Sequence, residues 1–370
     1  MRLAVCHICP SFNNALYSQI TDRQIEDNID VKVFYFRKKG QELINGDKPY
    51  VYACTPFNNF DRYIFHLKEH KVSKLFFSHF DVNNFDIIHA HTLFTSGYIA
   101  LKAKELWNIP YVVAVRGSDI NVFFKKRILL RSIGQKILRK ADAIVFISPS
   151  ARDEVLNNYI RSYEKELIEN KTFVIPNGID NFWLKNSYLK KNNEIDKRII
   201  KLIYYGDINK NKNIITSIKA AELLIKDGYK IIFYIAGELS NSYYKQLIEE
   251  KSFIKYLGFL PKEKLIDYLR ESDIFIMPSY SESFGLSYVE AMSQSIPVIY
   301  TEKQGFDNRY KEGTVGFHVN PDSPEEIKNR IINILEDFPH INDRCKNISQ
   351  EYNWDAIVDQ YKNIYTSIMK

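Results

Sequence analysis

Two carboxylates eight residues apart are the first feature of this sequence that could do chemistry. Glu282 lies in a polar loop after an apolar run that ends at Pro278, and Glu290 lies in the helix-length segment that follows. In open α/β sheets, ligands bind outside the carboxyl ends of the strands, so we expect this loop at a binding edge. Gly285 permits close approach to backbone amides at the helix start, and such amides suit a diphosphate. Carboxylate oxygens accept hydrogen bonds from vicinal hydroxyls, so the pair could hold two parts of an extended polyhydroxy ligand.

The elements that must position these residues follow one pattern in both halves of the chain. A short β-branched or aromatic run is followed by a turn and a helix-length segment, as in Ile214–Lys226 and Pro324–Glu336. Several runs are apolar on both faces, as buried parallel strands are. The alternation predicts an α/β fold with doubly wound parallel sheets. The predicted strands are Leu3–Ile8, Val31–Phe36, Asp86–Ala90, Tyr111–Val115, Ala143–Ile147, Thr172–Ile175, Lys201–Tyr205, Lys230–Ala236, Ile254–Leu257, Ile274–Met277, Val298–Tyr300 and Gly316–Val319.

A chain of 370 residues fits two domains. The boundary is expected after the turn that ends at Gly178, because Asn186–Lys201 is polar, charged and weakly patterned, as a linker is. We predict domains over residues 1–180 and 181–351. The aromatic-rich segment 352–370 is predicted to be a helix that returns to the first domain.

The spacing of Glu282 and Glu290 alone is equally consistent with a helix cap and a solvated helix residue. The stretch from Asp273 to Tyr300, however, resembles the E-x7-E signature of the retaining glycosyltransferases of family 4, also called group 1 glycosyltransferases. Further blocks that resemble this family occur in order along nearly all of the chain. They are Phe85–His91, Ile109–Asp119, Phe173–Asp180, Tyr205–Lys212, Ile235–Gly237, Tyr256–Leu260 and Asn353–Trp354 with Tyr361 and Tyr365.

The resemblance implies the GT-B fold, in which two Rossmann-like domains face a cleft, and the roles of several residues. Glu290 would hold the donor ribose, Glu282 the hydroxyls of the donor sugar, and Lys212 the diphosphate. Glu282, Lys212 and His91 are then the candidate catalytic residues. The implied donor-binding residues are Gly206, Asp207, Lys212, Phe259, Glu282, Phe284, Gly285, Leu286 and Glu290. No metal or other cofactor is implied, because cationic side chains and helix amides can stabilise the departing diphosphate.

The sequence departs from the family pattern at several positions. Asp207 stands where the family usually has an arginine, and a carboxylate there should repel a diphosphate unless it turns away. Arg116 replaces the usual histidine of the block that ends at Asp119. Asn13 and Asn14 replace a glycine pair after the first strand. We interpret Asn13, Asn14, Arg116 and Asp119 as acceptor-side residues, with Arg116 as a candidate phosphate clamp, and the departures as changes of substrate. Ser295 likewise stands in place of a glycine.

Two histidine patterns and one cysteine pattern have weaker interpretations. We place His89 and His91 on opposite sides of a strand end, with His91 toward substrate and His89 in a structural role. The run His66–His70 matches an inverted zinc-protease pattern, H-x-x-E-H, yet no third ligand is identifiable and chance is the better explanation. Cys6 and Cys9 are expected to be packing residues, and four cysteines in 370 residues make no disulfide framework.

The excess positive charge lies in the first half of the chain. Residues 1–180 contain 25 Lys and Arg against 19 Asp and Glu, which accounts for the whole formal charge of +6. Phe123–Lys140 carries seven basic residues and no acidic one among apolar side chains. This segment is either a helix packed on the sheet or an interfacial segment for an anionic membrane. No nucleic-acid module accompanies the charge, so a nucleic-acid partner is not expected.

The sequence contains no apolar run of about 18 residues and no secretory leader pattern, so a cytoplasmic enzyme is expected, peripheral on the inner face of the membrane at most. The resemblance implies transfer of a sugar from a UDP- or GDP-linked donor to a saccharide or lipid-linked acceptor. Surface polysaccharide synthesis (capsule, lipopolysaccharide or exopolysaccharide) is the implied context. Two alternatives stay open: a degenerate, non-catalytic partner subunit with the same fold, and a nucleotide-sugar epimerase.

Overall fold

The computed structural model describes residues 2–189 and 198–370, and the chain divides into two compact units. The first unit consists of Met1–Ile147, Ala151–Asn177 and Trp354–Lys370, and the second of Ser148–Ser150 and Gly178–Asn353. Residues 190–197 of the predicted linker lie outside the described residues. The prediction that the linker extends to Lys201 is wrong, because Ile199 and Ile200 already pair with the neighbouring strand.

The first unit contains a seven-stranded parallel sheet with the order β3-β2-β1-β4-β5-β6-β7. The strand order reverses between β1 and β4, which is the topological switch point of a doubly wound sheet. The strands are β1 Ala4–Ile8, β2 Asp30–Lys38, β3 Val51–Phe57, β4 Ile87–Ala90, β5 Tyr111–Val115, β6 Ala143–Phe146 and β7 Thr172–Val174. The helices that begin and end this unit or lie between these strands are α1 Ala15–Glu26, α2 Phe65–His79, α3 Thr95–Trp107, α4 Arg131–Lys140, α5 Pro149–Asn158, α6 Ser162–Glu169 and α14 Trp354–Ile368.

The two faces of this sheet bury separate apolar cores, because side chains alternate along each strand. Cys6 and Ile8 of β1 face one core, to which α2, α3 and α4 contribute. Val5 and Cys9 face the other core, together with α1 and α14. Both cysteines are thus buried packing residues, as expected.

The C-terminal helix α14 belongs to the first unit because its apolar stripe repeats at the helical period. Trp354, Ile357, Val358, Tyr361 and Tyr365 are all at most 2% exposed and pack against β1, β2 and α1. Burial of each such side chain stabilises the fold by about 1.5–3 kcal/mol. The helix is therefore an integral part of the first unit.

The second unit contains a six-stranded parallel sheet with the order β10-β9-β8-β11-β12-β13 and a switch point between β8 and β11. Its strands are β8 Ile199–Tyr205, β9 Lys230–Ala236, β10 Ile254–Gly258, β11 Ile274–Ile276, β12 Val298–Thr301 and β13 Gly316–Val319. Its helices are α7 Asn181–Lys185, α8 Ile214–Lys226, α9 Ser242–Glu249, α10 Lys262–Glu271, α11 Leu286–Ser293, α12 Pro324–Glu336 and α13 Phe338–Ser349.

The predicted strands are all observed within two residues of their predicted ends, and the predicted bounds of α8 and α12 are confirmed. Strand β3 is not among the predicted strands. Pro56 lies in this strand and argues against a central position. The strand pairs with β2 alone, at the edge of the sheet, where a proline is tolerated.

Candidate functional site

The switch point of the second unit brings two loops together, one after β8 and one after β11. Asn213 donates from Nδ2 to the Pro278 carbonyl at 3.1 Å, and Asn211 donates from Nδ2 to the Ser281 carbonyl at 2.9 Å. In return, the amide of Tyr280 donates to the carbonyl of Asn211 at 2.8 Å. These bonds fix the loop that carries Lys212 against the loop that carries Glu282.

Lys212 and Glu282 form an ion pair at this switch point. The ammonium Nζ of Lys212 donates to Oε2 of Glu282 at 2.6 Å, and the two side chains are 23% and 12% exposed. The other oxygen of Glu282 accepts from the amide of Ser283 at 3.0 Å. A cation is thereby held at the carboxyl edge of the sheet, still within reach of solvent.

The backbone that follows Glu282 is crowded and leads into a helix with free amides. Gly285 has φ +86°, and a Cβ atom there would lie 2.2 Å from the ring of Tyr288. A Cβ atom on Gly305 would likewise lie 2.2 Å from the backbone of Ser283. Gly285 is the residue before α11, and no side chain caps the helix there. The first amides of α11, beginning with that of Leu286, therefore offer an anion site.

Glu290 lies one turn into α11 and joins it to the end of β8. The hydroxyl of Tyr205 shares its hydrogen between Oε2 of Glu290 at 2.9 Å and the main-chain carbonyl oxygen of Ser287 at 2.8 Å. Burial raises the pKa of Glu290 above its ordinary value, and the hydrogen bond from Tyr205 opposes this rise. The carboxylate is half-buried and oriented by a neutral donor, which suits an acceptor for paired hydroxyl groups.

The other predicted donor residues occupy different settings around this edge. Gly206 has φ +134°, and Gly237 approaches it so closely that a Cβ atom on Gly237 would lie 1.9 Å from the Gly206 carbonyl oxygen. Asp207 is exposed, and Phe259 is 71% exposed after β10. Phe284 is buried beneath the guanidinium of Arg309, at 5.4 Å from its ring centre, and so packs inside the unit.

At the switch point of the first unit, Asn14 caps α1. Its Oδ1 accepts from the amide of Leu16 at 3.0 Å, and its φ of −86° is an ordinary one. Asn13 is not among the described residues with positive φ either. The glycine pair usual in the family is thus not needed here for backbone freedom, and the asparagines supply polar side chains instead.

Three buried histidines cluster between the sheet and α14. His7 pairs in register with His89, and Nδ1 of His7 lies 2.9 Å from Nε2 of His91. The rings of His89 and His91 stack at 4.2 Å between centres and 16° between planes. The prediction that His89 and His91 face opposite sides is wrong, because residues two apart in a strand share a face. His7 was not predicted as part of this cluster. It lies on β1, which pairs with the strand that carries His89, and this pairing is the signal that could have identified it.

The histidine cluster is a hydrogen-bonded network of neutral rings. Nδ1 of His89 lies 2.6 Å from the hydroxyl of Tyr365, which also accepts from Gln24 at 3.2 Å. Burial lowers the pKa of His7 to about 4 and holds the pKa values of His89 and His91 well below the ordinary value. One nitrogen from each ring lies within 4.8 Å of the others. Since the His89 and His91 rings are nearly parallel, their lone pairs do not converge as metal ligation requires.

Arg116 and Asp119 sit beside this cluster and are both buried. Nε of Arg116 donates to the His91 carbonyl at 3.3 Å, and Nη1 donates to Oδ1 of Asn177 at 3.4 Å. Asp119 accepts from the amides of Leu93, Phe94 and Arg116 at 2.9–3.2 Å. Burial raises the pKa of Asp119 to about 6, against the effect of these three bonds. Within the described structure, both side chains hold the loops after β4 and β5 together.

Phe123–Lys140 is not one helix. A π-helical turn over Asp119–Phe124 and a 3-10 turn over Ile128–Leu130 precede α4. The interpretation of this segment as one helix is wrong, because its α-helix begins only at Arg131, where α4 starts. A Cβ atom on Gly134 would lie 2.6 Å from the ring of Phe94, so α4 packs closely on that ring. Ile128 and Leu129 are 63% and 93% exposed.

The H-x-x-E-H pattern does not assemble a metal site. His66 and His70 are exposed on α2, whereas Glu69 is fully buried and pairs with Lys68 at 3.0 Å. Across residues 2–189 and 198–370, no metal-like cluster includes any of these three residues.

Comparison with known proteins identifies both halves of the chain. The family model described as Glycosyltransferase Family 4 matches residues 18–181, and that described as Glycosyl transferases group 1 matches residues 186–352. An uncharacterized glycosyltransferase of Methanocaldococcus jannaschii is 23% identical over 310 residues, which are 78% of this chain and 77% of the relative. A putative teichuronic acid biosynthesis glycosyltransferase of Bacillus subtilis is 29% identical over 237 residues, 61% of this chain and 55% of that one.

A solved structure shows the same fold. HepE of Anabaena, in complex with UDP, aligns over 99% of this chain and 100% of its own with a TM-score of 0.71 and 18% identity. The matched regions span most of the chain, and the two parallel-sheet units have the topology of the GT-B fold. The chain therefore belongs to the group 1 glycosyltransferases of family 4.

Proposed function

We propose that the protein transfers a sugar from a UDP- or GDP-linked donor to a saccharide or lipid-linked acceptor, with retention of configuration at the anomeric carbon. The second unit binds the nucleotide sugar and the first unit binds the acceptor. The observation that carries the proposal is the Lys212–Glu282 ion pair beside the uncapped start of α11. The cation and the helix amides can stabilise a diphosphate, whose negative charge grows as it leaves.

The remaining residues of the site have distinct roles in this proposal. Glu290, oriented by Tyr205, accepts from the two ribose hydroxyls of the donor. Glu282 accepts from hydroxyls of the transferred sugar and keeps Lys212 in place. Because the nucleoside diphosphate leaves from the same face of the sugar that the acceptor hydroxyl attacks, the reaction needs no protein nucleophile. His91 is buried in a neutral network, so its role is to position the loop after β4.

A role in surface polysaccharide synthesis (capsule, lipopolysaccharide or exopolysaccharide), in the cytoplasm, is part of the proposal. The relative from Bacillus subtilis carries a putative role in teichuronic acid synthesis. Within the described residues, no helix combines the length and apolar character that a membrane crossing requires.

A peripheral membrane contact through Phe123–Lys140 is also part of the proposal. Exposed Ile128 and Leu129 follow exposed Lys126 closely in the chain, and the two apolar side chains with this cation suit an anionic lipid surface. Leu129→Ser with Lys126→Gln should abolish co-sedimentation with phosphatidylglycerol vesicles. Lys136→Gln, which removes a cation already paired with Glu105, should not. Equal sedimentation of both variants contradicts the contact.

Transfer itself is tested by incubating the full chain with UDP- and GDP-linked sugars and a cellular glycolipid extract. Release of one nucleoside diphosphate, with an unchanged anomeric configuration in the product by NMR, is expected. If a nucleotide binds but no donor is ever consumed, the chain is instead a non-catalytic partner subunit. Inversion at the anomeric carbon would contradict the retaining mechanism.

A further inference from the structure

A basic pocket lies in the first unit at the carboxyl ends of β1, β2 and β3. It encloses about 440 Å³, and of the twelve residues that line it four are basic and none is acidic. We define it by its basic residues and its two asparagines, namely Arg37, Lys38, Arg62, Lys68, Asn13 and Asn14. A pocket of this volume accommodates a small ligand such as a substituted monosaccharide.

Three of the four cations keep their charge uncompensated. Across residues 2–189 and 198–370, none of Arg37, Lys38 and Arg62 makes an ion pair with a carboxylate. Lys38 donates to the side-chain oxygen of Asn59 at 2.7 Å, and Arg37 donates to the main-chain carbonyl of Glu42 at 2.8 Å. Both acceptors are neutral, so the pocket carries a positive potential.

Two buried acidic groups next to the pocket each form an ion pair, Asp61 with Lys71 outside the pocket and Glu69 with Lys68 of the pocket itself. Asp61, adjacent to Arg62 in sequence, is buried and accepts two bonds from Lys71 at 2.7 and 2.9 Å. Glu69 is fully buried behind Lys68. Lys68 also donates to the hydroxyl of Thr95 at 3.1 Å, which directs its ammonium toward the pocket lining.

The start of α1 adds to the same potential. Asn14 caps this twelve-residue helix and also lines the pocket, and the first turn contains no acidic residue. The helix dipole therefore places partial positive charge at the same end as the four cations. Two independent features, the three cations without a carboxylate partner among the described residues and the start of a helix, thus favour an anion in one cavity.

We propose that the basic pocket binds a phosphate group carried by the acceptor, so that the sugar is transferred to a phosphorylated saccharide. The inference rests on the proposed function and names its acceptor class. A phosphate carries close to two negative charges and three acceptor oxygens, which match several cations better than a single carboxylate does. The phosphate could belong to a soluble sugar phosphate or to a lipid-linked one.

The test is calorimetric titration of the full chain with glucose 6-phosphate, glucose or glucuronic acid, while saturating nucleotide fills the donor site. Glucose 6-phosphate should bind more tightly than the other two. Lys38→Gln and Arg62→Gln should each weaken it about tenfold, as expected for one charge-assisted bond. Lys74→Gln, an exposed lysine of α2 outside the pocket, is the matched control.

Vesicles that contain phosphatidic acid distinguish the two sources. If they bind and glucose 6-phosphate does not, and Lys38→Gln and Arg62→Gln abolish the binding, the phosphate is lipid-linked. Equal affinity for glucuronic acid, or binding that both pocket variants leave unchanged, overturns the inference. The same titrations without nucleotide distinguish failure of the pocket from failure of the proposed function. If glucose 6-phosphate still binds but no nucleotide does, the proposed function is contradicted and the phosphate site in the pocket is not.

Discussion

The hydroxyl of Tyr205 lies 2.9 Å from Oε2 of Glu290, so the last residue of β8 reaches a carboxylate on α11. Its one hydrogen is shared with the main-chain carbonyl oxygen of Ser287, at 2.8 Å. Removing this donor should harm nucleotide binding without harming the fold. We expect Tyr205→Phe to weaken nucleotide affinity about tenfold, since a hydrogen bond to a charged group contributes about 1.5–3 kcal/mol. Calorimetric titration with the preferred nucleoside diphosphate measures the change.

The same unit offers a matched control. Tyr234 donates to Glu271 at 3.0 Å in a similar tyrosine–glutamate pair away from the switch point. Tyr234→Phe should leave nucleotide affinity unchanged. Equal losses in both variants would show that the effect is on stability and not on the site.

Nucleotide affinity should depend on the protonation of Glu290. Burial raises its pKa above 4.5, and only the ionised carboxylate accepts from both ribose hydroxyls. Affinity should therefore be full at neutral pH and fall as the pH drops through this raised pKa, before ordinary glutamates titrate. Glu290→Gln should bind weakly at every pH. A wild-type affinity that stays constant down to pH 4.5 would contradict the role.

Lys212 should act mainly on the chemical step. In the proposed mechanism Lys212 faces the leaving diphosphate. Lys212→Gln removes this cation, so kcat should fall about 10²–10³-fold, the size of effect seen for one electrostatic stabiliser. Lys251→Gln breaks another ion pair of the second unit, with Glu222 at 2.7 Å, and should leave kcat unchanged. A Lys212→Gln variant with raised KM and normal kcat would assign the lysine to ground-state binding instead.

The histidine cluster should make the first unit sensitive to acid. His7, His89 and His91 have folded-state pKa values below 6.5, so the unfolded chain binds protons that the folded chain refuses. Stability is full above pH 6.5 and falls as the pH drops from there toward 4. His7, whose pKa is lowered to about 4, should cost about 2 kcal/mol of unfolding free energy between pH 7 and 5, and His89 and His91 should act in the same direction.

Urea unfolding at several pH values measures this effect. His7→Gln should reduce the pH dependence by about one proton, whereas His70→Gln, at an exposed position on α2, should not. If His7→Gln leaves the slope unchanged, the cluster takes up protons in the folded state and the network is not neutral.

Much of the fold was predictable because parallel strands are short apolar runs flanked by helices. Strand β3 was not predictable, because this edge strand contains a proline and is not a continuous apolar run. The turns before α4 were not predicted either. Phe123 and Phe124 of that segment pack on the ring of Phe94, which is a tertiary contact. Local periodicity carries no information about such contacts.

The candidate site was partly predictable for a similar reason. Glu282 and Glu290 share one loop–helix segment, so their spacing is visible in sequence. Their partners Tyr205 and Lys212 come from the neighbouring strand β8 and from the loop after it, and only the resemblance to the family pointed to Lys212. The strand register that joins His7 to His89, and the docking of Tyr365 on them, arise from the sheet and from α14. The basic pocket likewise depends on three strand ends that the sequence does not show together.

The most direct test of the central claim is the melting of the full chain with saturating UDP, GDP, CDP or ADP, for wild type and Glu290→Ala. At about 100 times its Kd, a ligand stabilises its domain by roughly 2.7 kcal/mol. We expect one nucleotide, UDP or GDP, to raise the melting temperature of the wild type, and we expect Glu290→Ala to abolish this increase. Two results would contradict a nucleotide-sugar site at Lys212, Glu282 and Glu290. Either none of the four nucleotides raises the melting temperature, or Glu290→Ala keeps the full increase.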